Sequence, residues 1–287
     1  MRDRSRVLEA IDSLEAGGST AGEAGIRLAY SLAEKGKRDG VESRVVWCTD
    51  GDLNVGLTGD PLVRLIEEQR DGGTTLTTLG FGQGNYNDKD MEAFANKGNG
   101  NYAFIDSPGE AVRVLGEKVV GTLQVIAKDV KIQLELDPAA VKRYRLVGYE
   151  NRLLAAEDFA NDKKDAGEIG AGHSVTAFYE VERVPGSLGL GVGTVRVRYK
   201  APEGTVSEEL ARPFAAIARR ANLAEASPSF RFGAAVVEYA EILRQSKHTE
   251  GKRWGDILSL AEGSMREGDG TQGEFLTLVT KAKGLGL

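Results

Sequence analysis

The chain of 287 residues is long enough for two domains, and its 41 % hydrophobic and 28 % charged residues are ordinary for a globular protein. A net charge of -6 and a pI near 5.3 argue against a nucleic-acid partner, which demands a basic face. No apolar run reaches the ~18 residues of a membrane span, Met1 opens a charged and polar stretch rather than a signal peptide, and the single Cys48 excludes a disulfide within the chain.

Residues 1–124 read as alternating helices and strands. Gly22 to Gly36 carries Ile26, Ala29, Leu32 and Ala33 at helical spacing. Arg44 to Thr49 is expected as a strand, since the apolar run from Val45 is of the kind that forms a buried parallel strand. Asp60-Pro61 predicts a helix start, with Asp60 as N-cap, Leu62, Leu65 and Ile66 as the inner face, and Gly72-Gly73 as the stop. A second strand is expected over Thr74 to Phe81, a short helix over Asp88 to Lys97, and a third strand over Tyr102 to Ile105. Ser107-Pro108-Gly109-Glu110 is a capping box opening a helix through Val112, Leu115, Val119 and Leu123. Such alternation builds a parallel sheet with right-handed crossovers.

The pattern changes near Lys128. Val130, Ile132, Leu134 and Leu136 alternate with polar residues, so one face is expected buried and the other wet. The same period returns at Val175, Ala177, Tyr179 and Val181, and at Val195, Val197 and Tyr199. This predicts antiparallel sheet in a small sandwich, with Gly186 to Gly193 as a hairpin or linker. From Ser207 the chain reads as helical, and Glu208-Glu209 as solvated helix charges. The clearest helix starts at Ser227-Pro228, with Phe232, Val236, Tyr239 and Leu243 on one stripe. Two more follow around Trp254 to Leu260 and Glu274 to Lys283. The expected divisions are 1–124, 125–200 and 201–287.

Two stretches carry the chemistry. Gly17-Gly18-Ser19-Thr20-Ala21-Gly22 is a glycine turn with hydroxyls opening a helix. Val45-Val46-Trp47-Cys48-Thr49-Asp50-Gly51 is a strand that stops at a carboxylate. Asp50 then falls at the carboxyl edge of an open α/β sheet, where ligands bind. Threonine and aspartate oxygens suit a hard cation such as Mg2+. An N-cap hydroxyl and a strand-end carboxylate are also common structural features.

The combination resembles the von Willebrand factor type A domain, whose metal-ion-dependent adhesion site uses such a threonine and such an aspartate. Thr78-Leu79-Gly80-Phe81-Gly82, Asn85-Tyr86 and Lys97-Gly98-Asn99-Gly100-Asn101-Tyr102 continue the pattern as bacterial members have it. Ala155-Ala156-Glu157-Asp158-Phe159, the run Asp165 to Ala177, and Phe230-Arg231-Phe232-Gly233-Ala234-Ala235-Val236 resemble the domain of unknown function that follows it in one bacterial group. The resemblance implies an α/β fold: a truncated Rossmann-like type A domain with helices on both faces, then an antiparallel β-sandwich and a helical tail. It implies metal ligands at Thr20 and Asp50, Mg2+ in the complete family site, and a protein partner offering a carboxylate. The bacterial group, a lipoprotein family, implies a cell-envelope or periplasmic setting.

One departure matters. The family's first strand ends in Asp-x-Ser-x-Ser, which supplies three ligands, and no such triplet occurs here. The first strands read as missing, so Mg2+ binding is expected to be weak or absent, and Arg44 to Thr49 becomes an open edge. Asp50-Gly51-Asp52-Leu53-Asn54 is not a calcium loop, because Val55 and Pro61 stand where glycine and glutamate are needed. Gly80 to Asn85 lacks the third glycine of a dinucleotide loop. Cys48 reads as an inert core residue, and His173 and His248 have no evident acid–base partner. The expected function is non-enzymatic protein binding. The alternatives are a Mg2+-dependent, phosphatase-like hydrolase using Asp52 as a second carboxylate, and a scaffold with a dead metal site.

Overall fold

The computed structural model describes residues 4–14, 22–38, 41, 43–49, 59–82, 88–117, 125–148, 153–164, 166–202, 204–214 and 220–286. Contacts group the chain into two compact units. One comprises Met1–Lys131, Asp162–His173 and Tyr199–Glu208; the other comprises Ile132–Asn161, Ser174–Arg198 and Glu209–Leu287.

The first unit begins with helices α1 (Arg4–Asp12) and α2 (Gly22–Gly36), then strand β1 (Ser43–Thr49). It continues with α3 (Asp60–Asp71), β2 (Thr74–Phe81), α4 (Asp88–Lys97), β3 (Tyr102–Ile105) and α5 (Pro108–Val112). The three strands form a parallel sheet in the order β1-β2-β3, with Val45 beside Leu76 and Leu79 beside Ala103. On one face Ile26 and Tyr30 of α2, Leu62 and Ile66 of α3, and Met91 and Phe94 of α4 close over Val45 and Leu76. Leu79 points the other way, into a smaller cluster with Ile105 and Val114. β2 is therefore covered on both faces. Its four threonines are buried, and the Thr78 hydroxyl donates to the Met91 carbonyl at 2.9 Å. Truncating a side chain as buried as Leu62 or Ile66 costs about 2–5 kcal/mol.

The rest of the described chain holds β4 (Val125–Leu136), β5 (Val141–Val147), β6 (Gly167–Gly170), β7 (Phe178–Arg183), β8 (Gly193–Lys200) and β9 (Ser207–Phe214). One sheet has the order β6-β4-β8-β9, with β4 and β6 antiparallel; β5 and β7 form a two-stranded antiparallel ribbon. Helices α6 (Pro228–Leu243), α7 (Trp254–Glu262) and α8 (Gly270–Leu285) end the chain. They share a core of Ala235, Ile257, Ala261 and Val279, flanked by Phe232, Tyr239, Trp254 and Phe275. Tyr239 meets Phe275 edge-on at 5.3 Å and Trp254 at 5.7 Å. The expected order of a parallel α/β sheet, antiparallel strands and terminal helices is the one observed.

Several local expectations change. Gly59, with φ +60°, precedes α3, and Asp60 occupies its first turn, where a carboxylate suits the helix dipole. α5 gives way after Val112 to one π-helical turn over Arg113–Glu117. The Ser107 hydroxyl accepts from the Glu110 amide at 3.2 Å, but the Glu110 side chain pairs with Arg113 rather than completing the box. Ser207–Phe214 is a strand, not a helix. Pro213 is tolerable on an edge strand and disruptive inside a helix, and Tyr199 and Arg196 of β8 hold Glu208 and Glu209 across the ladder. In β4 the alternation fails: Ile132 is exposed and Lys131 is buried. Register shifts against β6 and a positive φ at Asp129 turn the strand upstream of them. Val175 and Ala177 precede β7, which begins at Phe178. Gly186–Gly193 leads from the ribbon strand β7 to β8 of the other sheet, so it is a linker. On α6 the inward stripe is Phe232, Ala235, Tyr239 and Ile242, whereas Val236, Leu243 and Phe230 are exposed.

Candidate functional site

All three strands of the parallel sheet end at one edge. β1 stops at Thr49, level with Gly80, and β2 stops at Phe81, level with Ile105 of β3. α2 begins at Gly22 and packs Ile26 and Tyr30 over Val45 of β1, which ends at Thr49. Thr20 lies two residues before Gly22, and Asp50 directly follows Thr49. Both fall outside the described residues, as do Asp52 and Asn54.

The described part of the edge is acidic and tightly tied. Gly82 leaves β2 with φ +104°, a conformation that favours glycine. Asp88 opens α4, and its carboxylate accepts a short hydrogen bond from the Tyr102 hydroxyl of β3. Asp60 and Asp106 are exposed at the start of α3 and just after β3. The Arg113 guanidinium is engaged by Glu110 at 2.5 Å.

The loop between α4 and β3 explains its glycines. Gly98 and Gly100 run against β2: the Gly98 carbonyl accepts from the Leu76 amide at 2.8 Å, and the Asn101 carbonyl from the Thr78 amide at 2.9 Å. A Cβ on Gly100 would stand 1.9 Å from the Leu76 carbonyl oxygen. These residues set the position of β3, and hence of the Tyr102–Asp88 tie. Glycines one residue apart before a strand were the signal for this packing in the sequence.

Cys48 is exposed, not a core residue. Its neighbours Val45 and Trp47 face the helices, so Cys48 and Val46 face the opposite way, where α5 covers β3 rather than β1. His173 is exposed and its amide closes a turn on Gly170; His248 is exposed, with its amide on the Ser246 hydroxyl.

Among the described residues, no group of three or more His, Cys, Asp or Glu side chains is placed to hold a metal ion. Thr20 and Asp50 are two oxygen-bearing side chains, and Asp-x-Ser-x-Ser does not occur in this sequence. Mg2+ demands a near-octahedral shell and dehydrates reluctantly.

Comparison with known proteins agrees with the geometry. Residues 1–117 match the von Willebrand factor type A domain, and residues 121–190 and 186–285 match the family described as uncharacterized protein YfbK, C-terminal. The uncharacterized protein YfbK of Escherichia coli strain K12 is 36% identical over 303 aligned residues, covering 98% of this chain and 52% of that protein. The uncharacterized protein sll0103 of Synechocystis is 32% identical over 140 residues, covering 49% of this chain and 33% of that protein. The chain thus spans about half the length of the first relative and a third of the second. A solved von Willebrand factor type A protein from Catenulispora acidiphila superposes with a TM-score of 0.48 at 18% identity, covering 98% of this chain and 67% of that one.

Proposed function

Starting from the chain's membership of the family that joins a von Willebrand factor type A domain to the YfbK C-terminal domain, we propose that it is a non-enzymatic protein-binding module. The observation that carries this reading is the parallel sheet, whose three strands end together at one edge with Asp50 next in sequence after β1. In the complete family site, Mg2+ is held by ligands that include the counterparts of Thr20 and Asp50, and a partner's carboxylate completes the shell. Thr20 and Asp50 are the residues of this sequence that match that set, and the loops of the edge offer the partner direct contacts. The setting proposed is the bacterial cell envelope or periplasm, on family resemblance.

The test places a photo-crosslinking residue at Asn54 and, as a control, at Glu92 on α4. A partner captured from Asn54 and lost in Asp50→Ala is the expected result. Equal capture from both positions removes the reading. Calorimetric titration with Mg2+ is expected to give no tight binding; a low-micromolar dissociation constant lost in Asp50→Ala would show that ligands outside this pair complete the site.

A further inference from the structure

The second unit contains a buried carboxylate on α6. Glu241 of α6 is 1% exposed. It accepts from the Arg145 guanidinium of β5 at 2.9 Å and from the Ser246 hydroxyl at 2.8 Å, and Arg244 at the end of α6 also pairs with it. Arg145 reaches on to Glu180 of β7 at 2.7 Å. A line of charge therefore runs from β7 through β5 to α6. Phe178 of β7 adds an apolar contact, its ring 5.4 Å from that of Phe230. Gly233 makes room for it, since a Cβ there would lie 2.7 Å from the Phe178 ring.

The ribbon needs such an anchor. Two antiparallel strands by themselves are marginally stable in water. Tyr144 and Val181 are exposed, and the pairs of Lys142 and Arg143 with Glu182 lie in solvent, where ion pairs contribute little. A buried carboxylate is costly unless paired, and apolar residues of equal volume hold as firmly. A charge at this place selects one arrangement of ribbon on helix, because only that arrangement pairs it. We propose that Glu241, Arg145 and Glu180 form an acid-releasable latch that holds the β5–β7 ribbon on the C-terminal helices.

The groups facing the latch are Arg145 from β5, Glu180 from β7, Arg244 from α6, and His248 and Lys252 from the segment after α6, with Glu238 paired to Lys252. Burial pushes the Glu241 carboxyl up, but the Ser246 hydroxyl and the two guanidinium groups outweigh it and hold it below the usual range. The Arg145 hydrogen bond does the same for Glu180. Depressed carboxyls stabilise the fold above their ordinary value of 4.5 and cease to do so as pH falls through the lowered values. The latch is closed at neutral pH and opens in acid.

Hydrogen exchange on the full chain tests this, with rates corrected for pH. In acid, amides of Val141–Val147 and Phe178–Arg183 are expected to lose protection before those of Pro228–Leu243 and Gly270–Leu285. At neutral pH, Glu241→Gln is expected to speed ribbon exchange about tenfold or more, as loss of a charged hydrogen bond implies, with the helices unchanged. Arg145→Met with Glu241→Leu is expected to restore ribbon protection and remove its acid sensitivity. Three outcomes overturn the proposal: wild-type ribbon protection in Glu241→Gln, ribbon and helices opening together at every pH, or acid release that persists in the apolar double variant.

Discussion

Gly100 lies so close to β2 that a side chain would overlap the Leu76 carbonyl, with its oxygen at 1.9 Å and its carbon at 2.4 Å. The obstacle is backbone, which cannot swing away as a side chain can. Gly100→Ala must push the loop off β2 and strain the bonds that Gly98 and Asn101 make there; overpacking of this kind costs about 1–3 kcal/mol. Gly25 is the counter-case. It sits exposed in α2 with nothing within 4 Å of an added Cβ. Gly25→Ala is expected to stabilise by about 0.5–1 kcal/mol through helix propensity and reduced unfolded-state entropy. Denaturant unfolding of the two variants should move in opposite directions. If both destabilise alike, the close approach of the loop is not what singles out Gly100.

At the scale of elements, the strands differ in how their edges are treated. β9 ends its sheet with Glu208, Glu209, Arg212 and Pro213 along an exposed strand, the charges and proline that discourage pairing with other chains. β1 is the terminal strand of the parallel sheet among the described residues, and Val45 to Thr49 carries no charge and no proline. Val46 is 45% exposed and Cys48 is exposed beside it. The expected behaviour is concentration-dependent self-association through β1. A lysine at position 46 supplies the missing protection, so Val46→Lys should shift sedimentation towards the monomer. A wild-type chain that stays monomeric up to high concentration would show that this edge is covered.

The molecule as a whole has separate sources of order. One unit rests on the apolar cluster of Ile26, Leu62, Ile66, Leu76 and Phe94; the other rests on the α6–α8 core around Ala235, Ile257 and Val279. Units with separate cores need not melt together. Calorimetry is expected to show more than one transition, with the Leu62→Ala variant lowering one and leaving another in place. A single transition with equal calorimetric and van't Hoff enthalpies would mean that the units fold as one. The boundaries of β2, α4 and β3 were legible in the sequence because their signals are local: apolar period, glycine stops and the Asp88 start lie within a few residues of one another. The reading of Asp50 as a strand-end carboxylate came from the same kind of signal. What the tertiary structure decided depends on partners distant in the chain. Ser207–Phe214 became a strand because β8 stood ready to pair with it, against a local reading as helix. Cys48 and Val46 are exposed because no helix covers their side of β1 among the described residues, although the run reads as core. Glu241 is buried because Arg145, 96 positions earlier, meets it there. Period and capping act over a few residues and are written in the chain, whereas burial and pairing are properties of whichever segments come to lie side by side.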